Sequence, residues 1–182
     1  MSRRILPGLA LAGLLTACGD GPYLEGSISP LLDLHYELAK ATATTGEVSV
    51  NFVTTQKCGE NTVSENTLLS VSAQLEKLQV APSVEINLAE LLGEGEDAPQ
   101  RGRVRRRVLN EPERDFPRIL IGGLTLDKSL EALTPGTKVT GDFHVTFVNG
   151  TDVYSGRTVF GHFNATVPEP QPDPLPTTEE CP

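Results

Sequence analysis

Val139-Thr140-Gly141-Asp142-Phe143-His144-Val145-Thr146-Phe147-Val148-Asn149-Gly150 is the stretch on which the fold class turns. Val139, Phe143, Val145 and Phe147 alternate with Thr140, Asp142, His144 and Thr146, the period of a strand with one face buried and one solvated. Asn149-Gly150 follows, a dipeptide that accepts the φ > 0 angles of a tight hairpin turn, and the chain returns from Val153 to Val167. Gly156 and Gly161 interrupt the return, which predicts two short strands or one kinked strand.

The same period appears upstream. Leu32, Leu34, Tyr36 and Leu38 alternate with Asp33, His35 and Glu37; Val48, Val50 and Phe52 with Ser49 and Asn51; Leu69, Val71, Ala73 and Leu75 with Ser70, Ser72 and Gln74; Val84, Ile86 and Leu88 continue it. Residues 30–42 also fit a helix, with Ser29 as cap, Pro30 at the first position and a Leu31, Leu34, Leu38, Ala41 stripe, but the alternation favours a strand. Residues 87–92 read as a brief helical turn or a loop. Short strands separated by Gly, Pro and Asn predict an all-β domain, an antiparallel β-sandwich or small barrel with at most one short helix.

The first twenty residues read as an address. Arg3 and Arg4 precede an apolar run from Ile5 to Leu15, the order of a secretory signal and too short to span a bilayer core of about 20 residues. Leu15-Thr16-Ala17-Cys18 resembles the lipobox of bacterial lipoproteins, which implies cleavage of residues 1–17 and a diacylglyceryl group on Cys18. Anchoring then rests on two or more acyl chains, each buried methylene contributing roughly 0.8 kcal/mol. Gly19 follows the cysteine where an Asp is the familiar inner-membrane retention signal, so the outer membrane is favoured over the inner. Residues 18–22 are then a tether, 23–167 the β domain, and 168–182 a tail whose six prolines and four acidic residues cannot bury a core.

The chain is acidic, with a formal net charge of −9 over 182 residues, and loss of Arg3 and Arg4 with the leader makes it more so. This excludes nucleic acid as a partner, because phosphate backbones require a positive surface. Cys58 and Cys181 remain after Cys18 is lipidated, and an exporting compartment permits a disulfide between them. The alternative is one buried thiol and one tail thiol, and separation in sequence does not decide, since bridging needs Cα atoms within about 7 Å.

Gly26-Ser27-Ile28-Ser29, Gly141-Asp142-Phe143-His144-Val145-Thr146-Phe147 and Gly156-Arg157-Thr158-Val159-Phe160-Gly161-His162-Phe163 together resemble a loose group of uncharacterised β-rich lipoproteins from myxobacteria-type genomes. The resemblance implies a β domain and brings no catalytic residue or cofactor.

Chemistry-bearing patterns are few. Asp33-Leu34-His35 and Asp142-Phe143-His144 place an acid and an imidazole on one strand face, and two such faces brought together would suit zinc. Alternation puts both pairs on the polar side, where charge sits by default. Gly-x-Ser-x-Gly, Ser-x-x-Lys and Gly-rich phosphate loops do not occur in the sequence. The strongest anomaly is Arg101-Gly102-Arg103-Val104-Arg105-Arg106-Arg107, five arginines in seven residues of an acidic chain. As a strand it presents Arg103, Arg105 and Arg107 on one face, suited to a phosphate- or carboxylate-bearing envelope partner. The plainer explanation is that these cations answer the flanking acids Glu94, Glu96, Asp97, Glu111, Glu113 and Asp115 on a charge-protected edge. The expected role is therefore a lipid-anchored, non-catalytic binding or structural module of the cell envelope, held to the membrane through Cys18 and meeting another envelope protein or an anionic component, without a cofactor. A carrier of a small apolar ligand and a metal-assisted hydrolase using the Asp-x-His pairs are the alternatives.

Overall fold

A computed structural model describes residues 21–58 and 62–170 of the chain. The predicted leader and Cys18 lie outside these residues, as does most of the predicted tail. The regular structure of the described residues is nearly all strand: β1 (Tyr23–Glu25), β2 (Leu38–Ala43), β3 (Glu47–Cys58), β4 (Thr62–Gln74), β5 (Ile86–Asn87), β6 (Gly102–Arg107), β7 (Arg114–Asp115), β8 (Ile119–Leu126), β9 (Lys138–Phe147) and β10 (Thr158–Thr166). The helical content among them is one 3-10 turn at Leu130–Ala132, not at residues 87–92.

These strands form one sheet in the order β5-β8-β9-β10-β2-β3-β4-β6-β7, with β1 also on β10. Every pairing is antiparallel except the short one between β10 and β2. The sheet curls strongly into a half-barrel, within the predicted all-β class. Its two sides are stitched by Leu88, whose N–H donates to the Gly122 carbonyl of β8 at 2.9 Å and whose carbonyl accepts the Gly102 N–H of β6 at 2.8 Å. Gln100 extends the seam: its side-chain amide accepts the Ile119 N–H at 2.8 Å and donates to the Ile119 carbonyl at 2.7 Å. Backbone groups on β6 and β8 that an open edge would leave unpaired are thereby satisfied.

The concave side is filled. Phe52, fully buried, meets Phe143 at 5.5 Å and Phe163 at 6.3 Å between ring centres, and Tyr36 stands edge-on to it at 5.0 Å. A second cluster stacks Phe116 on Phe147 and Tyr154 at 5.4 and 4.7 Å. One irregularity lies beside this core. The register shifts opposite Phe52/Val53 of β3 and between Thr67 and Ser70 of β4 are the same bulge at Leu68-Leu69, where both members of Phe52-Val53 and of Leu68-Leu69 are buried, as happens where a curled sheet must bend; Phe52 and Leu69 join the core, and Val53 and Leu68 lie outside it.

The first and last strands lock together around one close contact. Gly26 lies so near β10 that a Cβ there would fall 2.2 Å from the Thr158 carbonyl oxygen. Ser27 Oγ accepts the Thr158 N–H at 2.9 Å, and Arg157 Nη1 donates to the Ser27 carbonyl at 2.7 Å. The Gly26-Ser27 and Arg157-Thr158 segments thus form one joint.

Several expectations are corrected. The strand predicted over Leu32 to Leu38 starts only at Leu38, and residues 30–42 are not a helix. Asp33 Oδ1 accepts the His35 N–H at 2.9 Å, a local turn that competes with any ladder, so Leu32 and Leu34 enter the core from a loop. Val84 is exposed, and only Ile86–Asn87 of that alternation pairs, with β8. β9 and β10 do form a hairpin, but Asn149-Gly150 is not its two-residue turn. The connection runs over residues 148–157, and Gly156 (φ +69°) supplies the left-handed residue. Consequently β10 begins at Thr158 rather than Val153, and it continues unbroken through Gly161, where a Cβ would crowd the Tyr23 carbonyl at 2.5 Å. The sequence reading omitted β8 altogether, because Ile119-Leu120-Ile121-Gly122-Gly123-Leu124 has no period of two.

Candidate functional site

The arginine run becomes a strand as expected, and its five guanidinium groups divide into distinct roles. β6 lies between β4 and the two-residue β7, with Ser72 opposite Arg103, Ser70 opposite Arg105 and Thr67 opposite Arg107. Alternation sends Val104 into the core and Arg103, Arg105 and Arg107 to the convex face.

Arg101, just before the strand, is only 3% exposed. Its Nη1 donates to the carbonyls of Gln74 and Glu76 at 2.6 and 3.1 Å, and its Nε to Glu90 Oε2 at 2.8 Å. That hydrogen bond holds the Glu90 carboxyl below the usual glutamate range. Arg101 is therefore a structural clamp across β4, β6 and the seam. Arg106 points the other way and is held by Glu111 at 3.2 and 3.4 Å.

On the convex face, Arg103 makes a two-pronged pair with Asp115 at 2.8 and 2.6 Å. The hydrogen bond lowers the Asp115 carboxyl and raises the Arg103 guanidinium from their ordinary values. Arg105 is shared between Glu113 at 3.3 Å and Glu47 at 3.9 Å. The Arg107 guanidinium, exposed at the end of β6, has no ion pair or hydrogen bond among the described residues. Of the flanking acids, Glu111, Glu113 and Asp115 do answer the arginines, so much of the predicted anionic demand is met within the chain.

Beside the arginines lies a polar floor. Ser49 and Asn51 of β3 and Ser70 and Ser72 of β4 occupy the convex phase, and Ser70 and Ser72 are nonetheless buried, at 8% and 2% exposure. Two hollows flank this floor. One, about 550 Å³, runs from Glu47 and Ser72 past Arg103 to Asp115 and Arg118. The other, about 120 Å³, is lined by Asn51, Thr67, Ser70, Arg105, Arg107 and Glu113. The sequence reading did not single out these hydroxyl and amide residues, although they were legible as the polar phase of two well-marked strands.

The Asp-x-His pairs do not assemble a metal centre. No group of three or more His, Cys, Asp or Glu among the described residues is placed to hold an ion. Asp33 and His35 are joined only by the His35 backbone N–H donating to Asp33 Oδ1 in the loop turn described above. Asp142 lies opposite His162 on β10, a histidine outside either pair, and Asp142 Oδ1 sits 2.9 Å from His162 Nδ1. His144 approaches Glu85 at 3.9 Å instead. Cys18, Cys181 and the side chain of Cys58 lie outside the described residues, and with them the lipidation site and the predicted disulfide. Comparison with known protein families, curated proteins and solved structures finds no match for this chain.

Proposed function

We propose that this chain is a lipid-anchored, non-catalytic binding domain of the cell envelope, tethered through Cys18 and engaging its partner on the convex face of β3, β4 and β6. The observation that carries the proposal is the guanidinium-lined polar floor: cations on the convex face above largely buried hydroxyls, beside hollows open to solvent. The packed aromatic interior supports recognition on the surface rather than in an enclosed apolar cavity. The lipobox resemblance supports the address, and the resemblance to β-rich lipoproteins is consistent with it.

Cross-linking of a tagged copy in intact cells tests this reading, with Cys18→Ser and a triple Arg103→Ser, Arg105→Ser, Arg107→Ser variant alongside. The expected result is a membrane-associated copy that captures one envelope component at near-stoichiometric yield, with association lost in the cysteine variant and capture lost in the arginine variant. A copy that fractionates identically with and without Cys18, or capture indifferent to the arginines, overturns it.

A further inference from the structure

Three arginines share the convex face of β6, yet their surroundings are unequal. Arg103 is saturated by the two oxygens of Asp115, while Arg107 has no partner among the described residues and shares the smaller hollow with Arg105. Resting on the binding-domain reading above, we infer that the smaller hollow is a monoanion subsite, which takes a carboxylate or phosphodiester group from a hydroxyl-bearing ligand.

Size, charge and donor chemistry converge on that class. The hollow is small, about 120 Å³, and open to solvent, so that a compact oxyanion group fits its floor while the rest of a larger ligand lies outside. Arg105 is answered by Glu113 and, from outside the lining, by Glu47 at 3.9 Å, so Arg107 is the lining cation without an acid partner among the described residues, and it suits a group of single negative charge. A fork-shaped guanidinium without an acid partner binds such a group through two parallel hydrogen bonds, which a lysine cannot reproduce. Ser70 and Thr67 add hydroxyl donors, and Asn51 an amide. Glu113 uses Oε1 toward Arg105 Nη1, which leaves Oε2 to accept a hydroxyl on the ligand beside its anionic group. Arg103 stands outside this lining and serves as an internal control one position along the same face.

The test is titration of the purified full chain, in uncharged detergent at low salt, with D-glucuronate, dimethyl phosphate and neutral glucose. Binding is followed by NMR of the arginine Nε–H signals. Expected are saturable shifts of Arg105 and Arg107 with at least one of the two anions, with affinity at least tenfold above that for glucose. Arg107→Gln and Arg107→Lys each weaken it at least tenfold, whereas Arg103→Gln changes it less than twofold. Glucuronate alone saturating assigns a carboxylate, dimethyl phosphate alone a phosphodiester. The inference is overturned if neither anion saturates, or if Arg103→Gln and Arg107→Gln weaken binding equally, which is the behaviour of diffuse surface charge. Capture in cells is read separately, so loss of this subsite leaves the wider reading standing on its own test.

Discussion

The convex face has two charged regions built on different logic. Along β6, one sign of charge is repeated within a strand and the counter-charges come from the next few residues, Glu111, Glu113 and Asp115. Across β9 and β10, single charges on separate strands meet by register, as Asp142 meets His162. Both regions carry an i, i+2 spacing in the sequence, yet that spacing identified a coherent surface only at β6. Side chains two apart in a strand share a face but stand about 6.5–7 Å apart along it, so ion pairs form instead between strands, where partners lie closer.

The largest expected contrast sets the common core against both surfaces. Phe163→Ala, beneath the histidine region, should cost about 3–5 kcal/mol by leaving a hole beside Phe52, measured by urea unfolding. Arg101→Met tests whether the arginine region has a structural root: loss of hydrogen bonds to Gln74, Glu76 and Glu90 from a buried guanidinium should cost about 2–4 kcal/mol. A cost below about 0.5 kcal/mol for Arg101 would place it with the exposed arginines and erase the division.

Smaller effects sharpen the contrast. In a double-mutant cycle, Arg103→Gln with Asp115→Asn should give a coupling of about 0.2–1 kcal/mol, since both groups are about half exposed. The sign of its pH dependence follows from Asp115, which is lowered below its ordinary value of 3.8 in the folded chain. Its contribution is fully present above the ordinary value and disappears as pH falls through the folded value. Asp115→Asn should therefore flatten the stability loss below pH of about 4, read from unfolding midpoints across that range. The smallest effect is expected at Asp142→Asn, below about 0.5 kcal/mol at neutral pH, because this carboxylate is largely solvated. A larger loss there would mean that the register pair matters more than the strand-borne arginines.

The β class, the arginine strand and the cores of β3, β4 and β9 were legible because alternation reports burial directly. What alternation cannot report is hydrogen bonding. Leu32 and Leu34 alternate in and out of the core like strand residues, but the Asp33 turn uses the backbone elsewhere. Asn149-Gly150 looks like a minimal turn, yet Tyr154 buried against Phe116 draws the connection out to ten residues and passes the left-handed position to Gly156. β8 was hidden because Gly122 and Gly123 replace the side chains that would have marked its phase. At the candidate site, the arginines were visible as composition, whereas Ser70, Thr67 and Asn51 acquire meaning only when β3, β4 and β6 are laid side by side. His162 likewise became Asp142's partner only through register.

The pairing of β1 with β10 also sets a schedule. Among the described residues, Tyr23–Glu25 has no strand partner but Phe160 to His162, and the joint at Gly26 needs Thr158 in place. The joint cannot be completed until Thr158 has followed Ser27 by 131 residues into the same compartment. Until then its earliest strand lies open to binding by chaperones and to cleavage by proteases. Closure of β1 by β10 gives such a chain a built-in delay before it commits to its compact form.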